Sequence, residues 1–304
     1  MKTPAIQTNK LTHRYGKFEA ITHLDLTVPA QSIYAFLGPN GAGKSTTLSI
    51  LVNALKPTSG SAHVLGCRST HLVPYHFTRI GYVAEPQELP DWMTGNQMLD
   101  FLKPFYPNWD DAFCSKLQAT LEVPLKRKVS QMSRGEQMKL RLLSSMAYRP
   151  ELLILDEPFS GLDPLVREEL SGGLLELVGE GDWTVIMASH DVDEIERLAD
   201  HAGFIANGHM HFSESVEGLQ QRFCRVSVQF ASPPQLDLAL SNWRELKHEG
   251  NQFGFVDPSF DEVRCRAQLE EMGKITHFEA NGMSLREIFI SESKHQRKYR
   301  EEKV

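Results

Sequence analysis

The chain has 304 residues, with 32 lysines and arginines against 39 aspartates and glutamates and a formal net charge of −7. This acidic balance argues against a protein that coats nucleic acid, because such domains usually carry a strongly positive face. A hydrophobic content of 41% and a charged content of 23% are ordinary for a globular protein and exclude a disordered or fibrous chain. The length predicts a large domain accompanied by a small one.

The longest apolar runs fall far short of the ~18 to 20 residues that a membrane-spanning helix needs. The N-terminal residues lack the apolar segment of a secretory signal. The four cysteines stand at no spacing typical of a metal site or a redox pair. We therefore expect a cytoplasmic protein with reduced thiols.

Short strand-like runs and turns occupy the beginning of the chain. Apolar patterning predicts strands at 6–10, 20–29 and Ile33–Leu37, the last of them buried on both faces. A glycine-rich segment, 38–43, breaks this pattern. Apolar residues at helical spacing then predict a helix over 45–55. The order is therefore strand, glycine loop and helix.

The middle of the chain has two kinds of apolar pattern. From about residue 90 to residue 146 the apolar spacing is helical, with prolines as breaks, and it predicts a separate helical lobe. Two further buried strands, 152–155 and Thr184–Ser189, are flanked by helical patterns. That alternation is typical of a parallel sheet with crossover helices. We therefore predict an α/β domain over residues 1–212.

After about residue 212 the pattern changes and predicts a small α+β accessory domain over 213–292. Its predicted elements are strands at 225–230, 253–256 and 275–279 and a helix at 260–272. The remaining residues, 293–304, mix Lys, Arg and Glu with almost no apolar content. They are predicted to form a charged, solvated tail.

Residues 38–45 read Gly-Pro-Asn-Gly-Ala-Gly-Lys-Ser, the phosphate-binding loop pattern, between a predicted buried strand and a helix. Glycines let backbone N–H groups surround phosphate oxygens, and the helix N-terminus favours an anion. Lys44 is predicted to reach the β- and γ-phosphates, and the Ser45 hydroxyl to coordinate Mg²⁺. The predicted nucleotide-binding residues of this segment are Gly38, Pro39, Asn40, Gly41, Ala42, Gly43, Lys44, Ser45 and Thr46.

Two carboxylates follow the buried strand 152–155. Asp156 and Glu157 fall at the C-terminal end of that strand, where ligands bind in open α/β sheets. We predict that Asp156 holds Mg²⁺, directly or through water. Glu157 is predicted to orient and polarise the water that attacks the γ-phosphate.

A third element, Met-Ser-Arg-Gly-Glu at 132–136, lies between these two motifs and just ahead of a predicted helix. With this order of motifs, the sequence resembles the ATP-binding subunits of ABC transporters over about residues 5–212. The resemblance implies a P-loop NTPase core with an antiparallel β subdomain and an inserted helical lobe, and it implies ATP and Mg²⁺ as ligands. It also implies a head-to-tail dimer, in which Ser133 and Gly135 of one subunit clasp the γ-phosphate held by the other.

Other positions receive roles from the same resemblance. Tyr15 resembles the aromatic residue that stacks on adenine, Asp163 lies in a segment that resembles the D-loop facing the partner subunit, and His190 resembles the switch histidine that contacts the γ-phosphate. Where the family usually has a glutamine near the Mg²⁺, this sequence has Glu85, with Gln87 two residues later. Either residue could fill that role. In having a glutamate at this position, the sequence is similar to the ATP-binding subunits of some drug and antibiotic exporters.

The resemblance implies an ATPase subunit that powers a separate membrane permease, as in exporters, and lies at the inner face of the cell membrane through that permease. A soluble ABC-type ATPase acting on nucleic acid or ribosomes is the alternative, because basic residues cluster between 126 and 141. We favour the transporter subunit and expect no nucleic acid partner, since the net charge is −7 and the chain shows one set of motifs. A regulatory GTPase is excluded because no Asn-Lys-x-Asp motif occurs. The transported substrate, its direction and the choice between homodimer and heterodimer stay open.

Overall fold

The computed structural model describes residues 3–84, 88–179, 183–193, 195–234 and 242–301. Contacts divide the chain into two units, Met1–Ser213 and Glu214–Val304. The strands are β1 (Ile6–Tyr15), β2 (Phe18–Leu24), β3 (Thr27–Val28), β4 (Ile33–Leu37), β5 (Ser59–Val64), β6 (Cys67–Arg68), β7 (Ile80–Ala84), β8 (Leu152–Asp156), β9 (Thr184–Ser189), β10 (His201–Ala206), β11 (His209–Ser215), β12 (Cys224–Phe230), β13 (Arg244–Glu249), β14 (Gln252–Asp257) and β15 (Ile275–Gly282). The helices are α1 (Lys44–Leu51), α2 (Pro74–Phe77), α3 (Gly95–Leu102), α4 (Asp111–Leu121), α5 (Arg134–Met146), α6 (Pro164–Gly179), α7 (Val216–Arg222), α8 (Glu262–Met272) and α9 (Leu285–Glu301).

A six-stranded sheet forms the centre of the first unit, in the order β11-β10-β4-β9-β8-β7. The pairs β10–β4, β4–β9, β9–β8 and β8–β7 are parallel. Strands β8 and β9 are buried along their whole length, which agrees with their continuous apolar sequences. The predicted α/β class is confirmed.

A second sheet is antiparallel and has the order β2-β1-β5-β6, with β3 paired to β1. The single strand predicted over 20–29 is wrong, because the chain divides there into β2 and β3. At the break, the Asp25 carboxylate accepts a hydrogen bond from the Lys10 N–H at 2.7 Å. The Thr8 hydroxyl donates to the Leu24 carbonyl and accepts from the Leu26 N–H, both at 2.8 Å. These side chains take the place of ladder hydrogen bonds.

Helices α3, α4 and α5 occupy the residues of the predicted helical lobe. Each begins at a polar residue whose side chain accepts a hydrogen bond from the first turn: Thr94, Asp110 and Ser133. Helix α1 is shorter than predicted and ends at Leu51. The chain leaves the helix there because Asn53 adopts a left-handed backbone conformation, with φ of 57°.

The second unit contains a four-stranded antiparallel sheet in the order β13-β14-β12-β15. The charged tail predicted from residue 293 is helical, since residues 293–301 continue helix α9. The helix has a buried face that starts with Leu285 and Ile288 and continues to Ser291 and Glu292. The charged residues of the predicted tail extend the same helix, with Lys294 and Lys298 exposed.

Within the part of the chain that the structure describes, no helix combines the length and the apolar character that a bilayer-spanning segment requires.

Candidate nucleotide-binding site

The register of the central sheet brings three sequence motifs to one edge. Leu37, the residue before the glycine loop, is paired with Ser189, the residue before His190. Asp156 at the end of β8 is paired with Ala188 of β9. The C-terminal ends of β4, β8 and β9 are therefore level. This is the edge at which open parallel sheets bind ligands.

The glycine loop connects β4 to α1, and two of its glycines are required by close backbone contacts. A Cβ atom built on Gly38 would lie 2.2 Å from the carbonyl oxygen of Ile205. Gly43 has φ of 110°, and a Cβ there would lie 2.6 Å from the carbonyl oxygen of Ala20. Gly43 is also the N-cap of α1, whose first N–H groups are the usual partners of a bound anion.

Lys44 lies at the start of α1 with only 5% of its surface exposed. Its Nζ atom donates a hydrogen bond to the Gly38 carbonyl at 2.7 Å. The same atom lies 3.1 Å from Oε1 of Glu157. The loop therefore folds its own lysine back over the backbone that the sequence predicts to hold phosphate.

Glu157 follows β8 directly and has φ of 51°, a left-handed conformation that is uncommon for residues other than glycine. Its N–H donates to the Ala188 carbonyl at 3.0 Å, which fixes the turn beside β9. Its Oε2 atom lies 2.7 Å from Nδ1 of His190. An ionised carboxylate only accepts hydrogen bonds, so Nδ1 carries the proton in this contact. Lys44, Glu157 and His190 form one continuous line of polar groups.

Ser45 and Asp156 lie beside this line. The Ser45 hydroxyl donates to Oδ1 of Asp156 at 3.1 Å, and Asp156 is 6% exposed. A hydroxyl and a carboxylate are hard oxygen ligands of the kind that Mg²⁺ uses together with substrate phosphates. The described residues contain no group of three or more His, Cys, Asp or Glu side chains suited to a metal. The pair therefore fits a Mg²⁺ that is bound jointly with a phosphorylated ligand.

Tyr15 ends β1 and faces Phe18 across the hairpin with β2. Its side chain is 52% exposed, and its ring packs against the ring of His13 in a T-shaped arrangement at a centroid distance of 4.6 Å. The same hairpin reaches the glycine loop further along, where Ala20 contacts Gly43. Tyr15 therefore offers a free aromatic face on an element that touches the loop. Glu85 and Gln87, which the sequence predicts near Mg²⁺, lie outside the described residues.

Ser133 and Gly135 lie at the start of α5. The Ser133 hydroxyl accepts from the Glu136 N–H at 3.2 Å, and the Glu136 carboxylate accepts from the Ser133 N–H at 2.8 Å. This reciprocal pair is a capping box. The Ser133 N–H, followed by the Arg127 guanidinium, lowers the pKa of Glu136. A Cβ on Gly135 would lie 2.7 Å from Cγ1 of Val166, so α5 packs directly against α6.

Asp163 directly precedes α6, and its carboxylate accepts a hydrogen bond from the Val166 N–H at 3.1 Å. The structure therefore forms two groups from the predicted site residues. Lys44, Ser45, Asp156, Glu157 and His190 meet at the sheet edge. Ser133, Gly135 and Asp163 lie at the starts of two packed helices.

Comparisons with known proteins identify the family to which this chain belongs. A family profile described as ABC transporter matches residues 21–160. The chain is 30% identical to the uncharacterized ABC transporter ATP-binding protein YhaQ of Bacillus subtilis (strain 168), over 92% of this chain and 95% of the relative. The chain belongs to the ATP-binding proteins of ABC transporters. Cassettes of this family hydrolyse ATP, and the chain is an ATP-binding ATPase.

Two further relatives carry transport names. The chain is 30% identical to the bacitracin transport ATP-binding protein BcrA of Bacillus licheniformis, over 94% of this chain and 93% of the relative. It is 34% identical to the probable multidrug ABC transporter ATP-binding protein YbhF of Escherichia coli (strain K12), over 71% of this chain and 38% of the relative. A second profile, described as AAA domain, putative AbiEii toxin, Type IV TA system, matches residues 125–196.

Solved structures support the same fold. One, described as the ATP binding subunit of an ABC transporter, has a TM-score of 0.64 and 22% identity, and covers 71% of this chain and 92% of that chain. Another, the dimeric post-hydrolysis state of the cassette MJ0796 bound to ADP and Pi, has a TM-score of 0.61 and 21% identity, over 69% and 98% of the two chains. The predicted P-loop NTPase fold is confirmed.

One residue of this ABC ATPase that sequence reasoning missed is Arg167. Its Nη1 atom donates to Oδ2 of Asp191 at 3.1 Å, and its Nη2 atom lies 3.4 Å from the Leu162 carbonyl. Arg167 thus connects the turn before α6 to the residue after His190. The only signal in the sequence is an arginine four residues after Asp163, which is too common to single out.

Proposed function

We propose that this chain is the ATP-hydrolysing subunit of an exporter, and that it dimerises around Mg²⁺–ATP and drives a separate membrane permease. The observation that carries the proposal is the line of Lys44, Glu157 and His190 beside the Ser45–Asp156 pair. This arrangement supplies a cation for phosphate, oxygen ligands for a metal and a carboxylate for water, all at one edge of the sheet.

In this proposal the glycine loop and Lys44 bind the phosphates, with the N–H groups at the start of α1 directed at the same anion. Ser45 and Asp156 hold Mg²⁺, which neutralises charge on the phosphate oxygens. Glu157 accepts a proton from the attacking water, and His190 keeps that carboxylate in place through Nδ1. Tyr15 stacks on the base.

The second group of residues, Ser133, Gly135 and Asp163, supports a nucleotide site that is shared between two subunits. Ser133 is exposed at the N-terminus of α5, where a hydroxyl and helical N–H groups suit an anion. Its contacts are to its own helix start, as are those of Asp163. We infer that the anion they meet is the γ-phosphate bound by a second copy or a related subunit.

Three exposed aromatic side chains in the residues of the helical lobe, Trp92, Phe101 and Phe105, support docking to a permease. Their side chains are 66%, 55% and 63% exposed, and the rings of Phe101 and Phe105 touch at a centroid distance of 5.6 Å. Large exposed apolar groups that cluster in this way mark interaction sites. The occupant we propose is a helix of the membrane subunit.

The exporter assignment rests on the names of relatives, which are a bacitracin transport protein and a probable multidrug transporter. The alternative, an ATPase that acts on nucleic acid or ribosomes, relied on basic residues between 126 and 141. Two of these have acidic partners, since Arg127 pairs with Glu136 at 2.6 Å and Lys139 pairs with Glu169 at 3.0 Å. The remaining positive charge gives the alternative little support.

The test is co-expression and co-purification with a candidate permease, chosen as a multi-span membrane protein whose gene neighbours that of this chain. We expect the wild-type chain to sediment with membranes only when that protein is co-expressed. The double substitution Trp92→Ala and Phe101→Ala should abolish sedimentation while ATP binding is retained. Val263→Ala is the matched control, because Val263 is an exposed apolar residue of the second unit, at 80% exposure. Salt-resistant nucleic acid binding without any membrane partner would favour the alternative.

A further inference from the structure

A cavity of about 400 Å³ lies in the second unit, between the beginning of β13 and the C-terminal half of α9. Six of its lining residues carry the argument: Trp243, Glu245, Leu246, Ser291, Lys294 and Lys298. All of them belong to the unit Glu214–Val304, whereas every residue of the nucleotide site belongs to Met1–Ser213. The residues that line the cavity are therefore not among those of the nucleotide site.

Two polar atoms in the cavity lining are buried without a partner. Ser291 is 0% exposed, and its Oγ atom has no hydrogen-bond partner within the described chain. Oε1 of Glu245 is likewise buried and unpartnered among the described residues. A buried carboxylate oxygen without a donor is costly, and such groups in folded proteins nearly always find a partner. These two atoms point to a ligand that brings N–H donors.

The charges around the cavity complement a ligand with two opposite charges. The other carboxylate oxygen of Glu245 is 3.5 Å from Nζ of Lys294 and 3.9 Å from Nη1 of Arg225. Lys298, one turn further along α9, is exposed and has no ion pair within the described residues. The lining therefore presents an acceptor at depth and a lysine at the rim. That order suits an ammonium group inside and an anionic group outside.

The apolar part of the lining defines the rest of the ligand. Trp243 is 8% exposed and stacks on Phe255 at a centroid distance of 4.0 Å, so its ring is held in place. Leu246 is 41% exposed beside it. We propose that this cavity binds a free α-amino acid with an apolar side chain. The ammonium group donates to Glu245 and Ser291, the carboxylate pairs with Lys294 and Lys298, and the side chain contacts Trp243 and Leu246.

The experiment is isothermal titration calorimetry of the full-length chain with leucine, methionine and phenylalanine. Nucleotide is left out, so that failure of the ATPase assignment has no effect on the result. Two fragments of leucine serve as matched ligands: 4-methylpentanoate lacks the ammonium group, and 3-methylbutylamine lacks the carboxylate. We expect at least one amino acid to bind and both fragments to bind at least about tenfold more weakly, since each loses a charge-assisted hydrogen bond.

Variants assign the binding to this cavity. Glu245→Gln and, independently, Lys298→Ala should each weaken amino acid binding about tenfold or more. Lys298 is exposed, so its replacement leaves folding intact and keeps the test meaningful if Glu245→Gln is unstable. Glu249→Gln is the matched control, because Glu249 is an exposed carboxylate of the same strand outside the cavity. The proposal would be overturned if none of the three amino acids gave a heat of binding. It would also be overturned if 4-methylpentanoate bound with the same affinity as leucine.

Discussion

Nζ of Lys44 lies 3.1 Å from Oε1 of Glu157, in a contact whose side chains are 5% and 16% exposed. The cation predicted to hold phosphate and the acid predicted to activate water therefore neutralise each other. A triphosphate brings negative charge to Lys44, so we expect ATP binding to exchange this carboxylate for phosphate oxygens. In the proposed site, this exchange would free Glu157 to turn toward the γ-phosphate.

The first prediction concerns Glu157→Gln. The amide keeps the shape of the side chain but removes the charge that competes for Lys44 and the base that accepts a proton. We expect a non-hydrolysable ATP analogue to bind more tightly than to wild type, while hydrolysis slows about 10² to 10⁴-fold. Calorimetry measures the first effect and phosphate release the second. Glu151→Gln, at the opposite end of β8, is the control, and a weaker affinity in Glu157→Gln would contradict the exchange.

The second prediction is that Lys44→Ala abolishes ATPase activity. The substitution removes the cation from the glycine loop and leaves the Gly38 carbonyl and the Glu157 carboxylate without it. Two buried acceptors then face the phosphates, so nucleotide binding should fall as well. Activity and binding of a fluorescent ATP analogue are the measurements. Lys103→Ala should behave like wild type, because Lys103 is 49% exposed and pairs with Asp111. Retained turnover in Lys44→Ala would exclude the loop as the catalytic site.

The sequence shows which predicted site residues share one edge of the sheet because the pattern that reports this is local. The glycine loop and His190 each follow a buried strand and Asp156 ends one, and the carboxyl ends of neighbouring parallel strands such as β4 and β9 lie at the same edge of the sheet. Strand β13 could not be predicted in the same way. It reads Arg-Glu-Leu-Lys-His-Glu, has no apolar alternation and forms through pairing with β14 at the edge of its sheet.

Long-range pairs explain the other failures. Helix α9 continues through a charged segment, although composition alone predicts a solvated tail. Its buried Glu292 has its cationic partner, Arg244, 48 residues earlier in the chain. Burial, followed by the nearby Arg222, lowers the pKa of Arg244 to about 10. The contact between Lys44 and Glu157 was missed for the same reason, since no pattern in the sequence reports which acid a lysine meets.

A third prediction tests the aromatic position. Tyr15→Ala removes a half-exposed ring at the end of β1 and should weaken ATP binding by about 1 to 3 kcal/mol, the range for stacking a base on an aromatic side chain. Tyr15→Phe should retain the affinity, because the ring face remains. Tyr75→Ala removes a ring that is 68% exposed elsewhere and serves as control. Titrations with ATP and GTP measure the effect. If wild type and Tyr15→Ala bind ATP with the same affinity, and also bind GTP with the same affinity, stacking on Tyr15 is ruled out.

A fourth prediction follows from Glu136, whose carboxylate completes the capping box at the start of α5. Hydrogen bonds from the Ser133 N–H and contacts with Arg127 lower the pKa of Glu136 below its ordinary value of 4.5. The folded state thus releases this proton more readily than the unfolded state. The contribution to stability is present above about pH 4.5 and is lost as the pH falls through the folded-state pKa.

Denaturant unfolding of wild type and Glu136→Gln at several pH values measures this contribution. Wild type should exceed the variant in unfolding free energy near neutral pH, and the difference should shrink below the ordinary glutamate pKa. Glutamine can still accept from the Ser133 N–H, so the helix start is retained. If the difference in unfolding free energy stays constant down to acidic pH, the charge of Glu136 contributes nothing to stability.

The last prediction joins the two groups of site residues. If ATP lies between Lys44 of one subunit and Ser133 of another, the nucleotide itself holds the dimer together, and Glu157→Gln should accumulate as an ATP-bound dimer. Adding Ser133→Arg places a bulky cation where the hydroxyl must approach the phosphate. We expect this double variant to bind ATP and remain monomeric.

Ser133→Ala in the Glu157→Gln background is the matched control. It loses the same capping hydrogen bond to the Glu136 N–H as Ser133→Arg, but it adds no bulk or charge. Light scattering with ATP and with ADP should therefore give dimer for Glu157→Gln, a weaker dimer for the alanine variant and monomer for the arginine variant. ADP should give monomer in all three, because the γ-phosphate is the contact between the halves. A Glu157→Gln protein that is monomeric at saturating ATP would refute a dimer held by nucleotide alone, and repeating the measurement with the permease would then locate the missing contact.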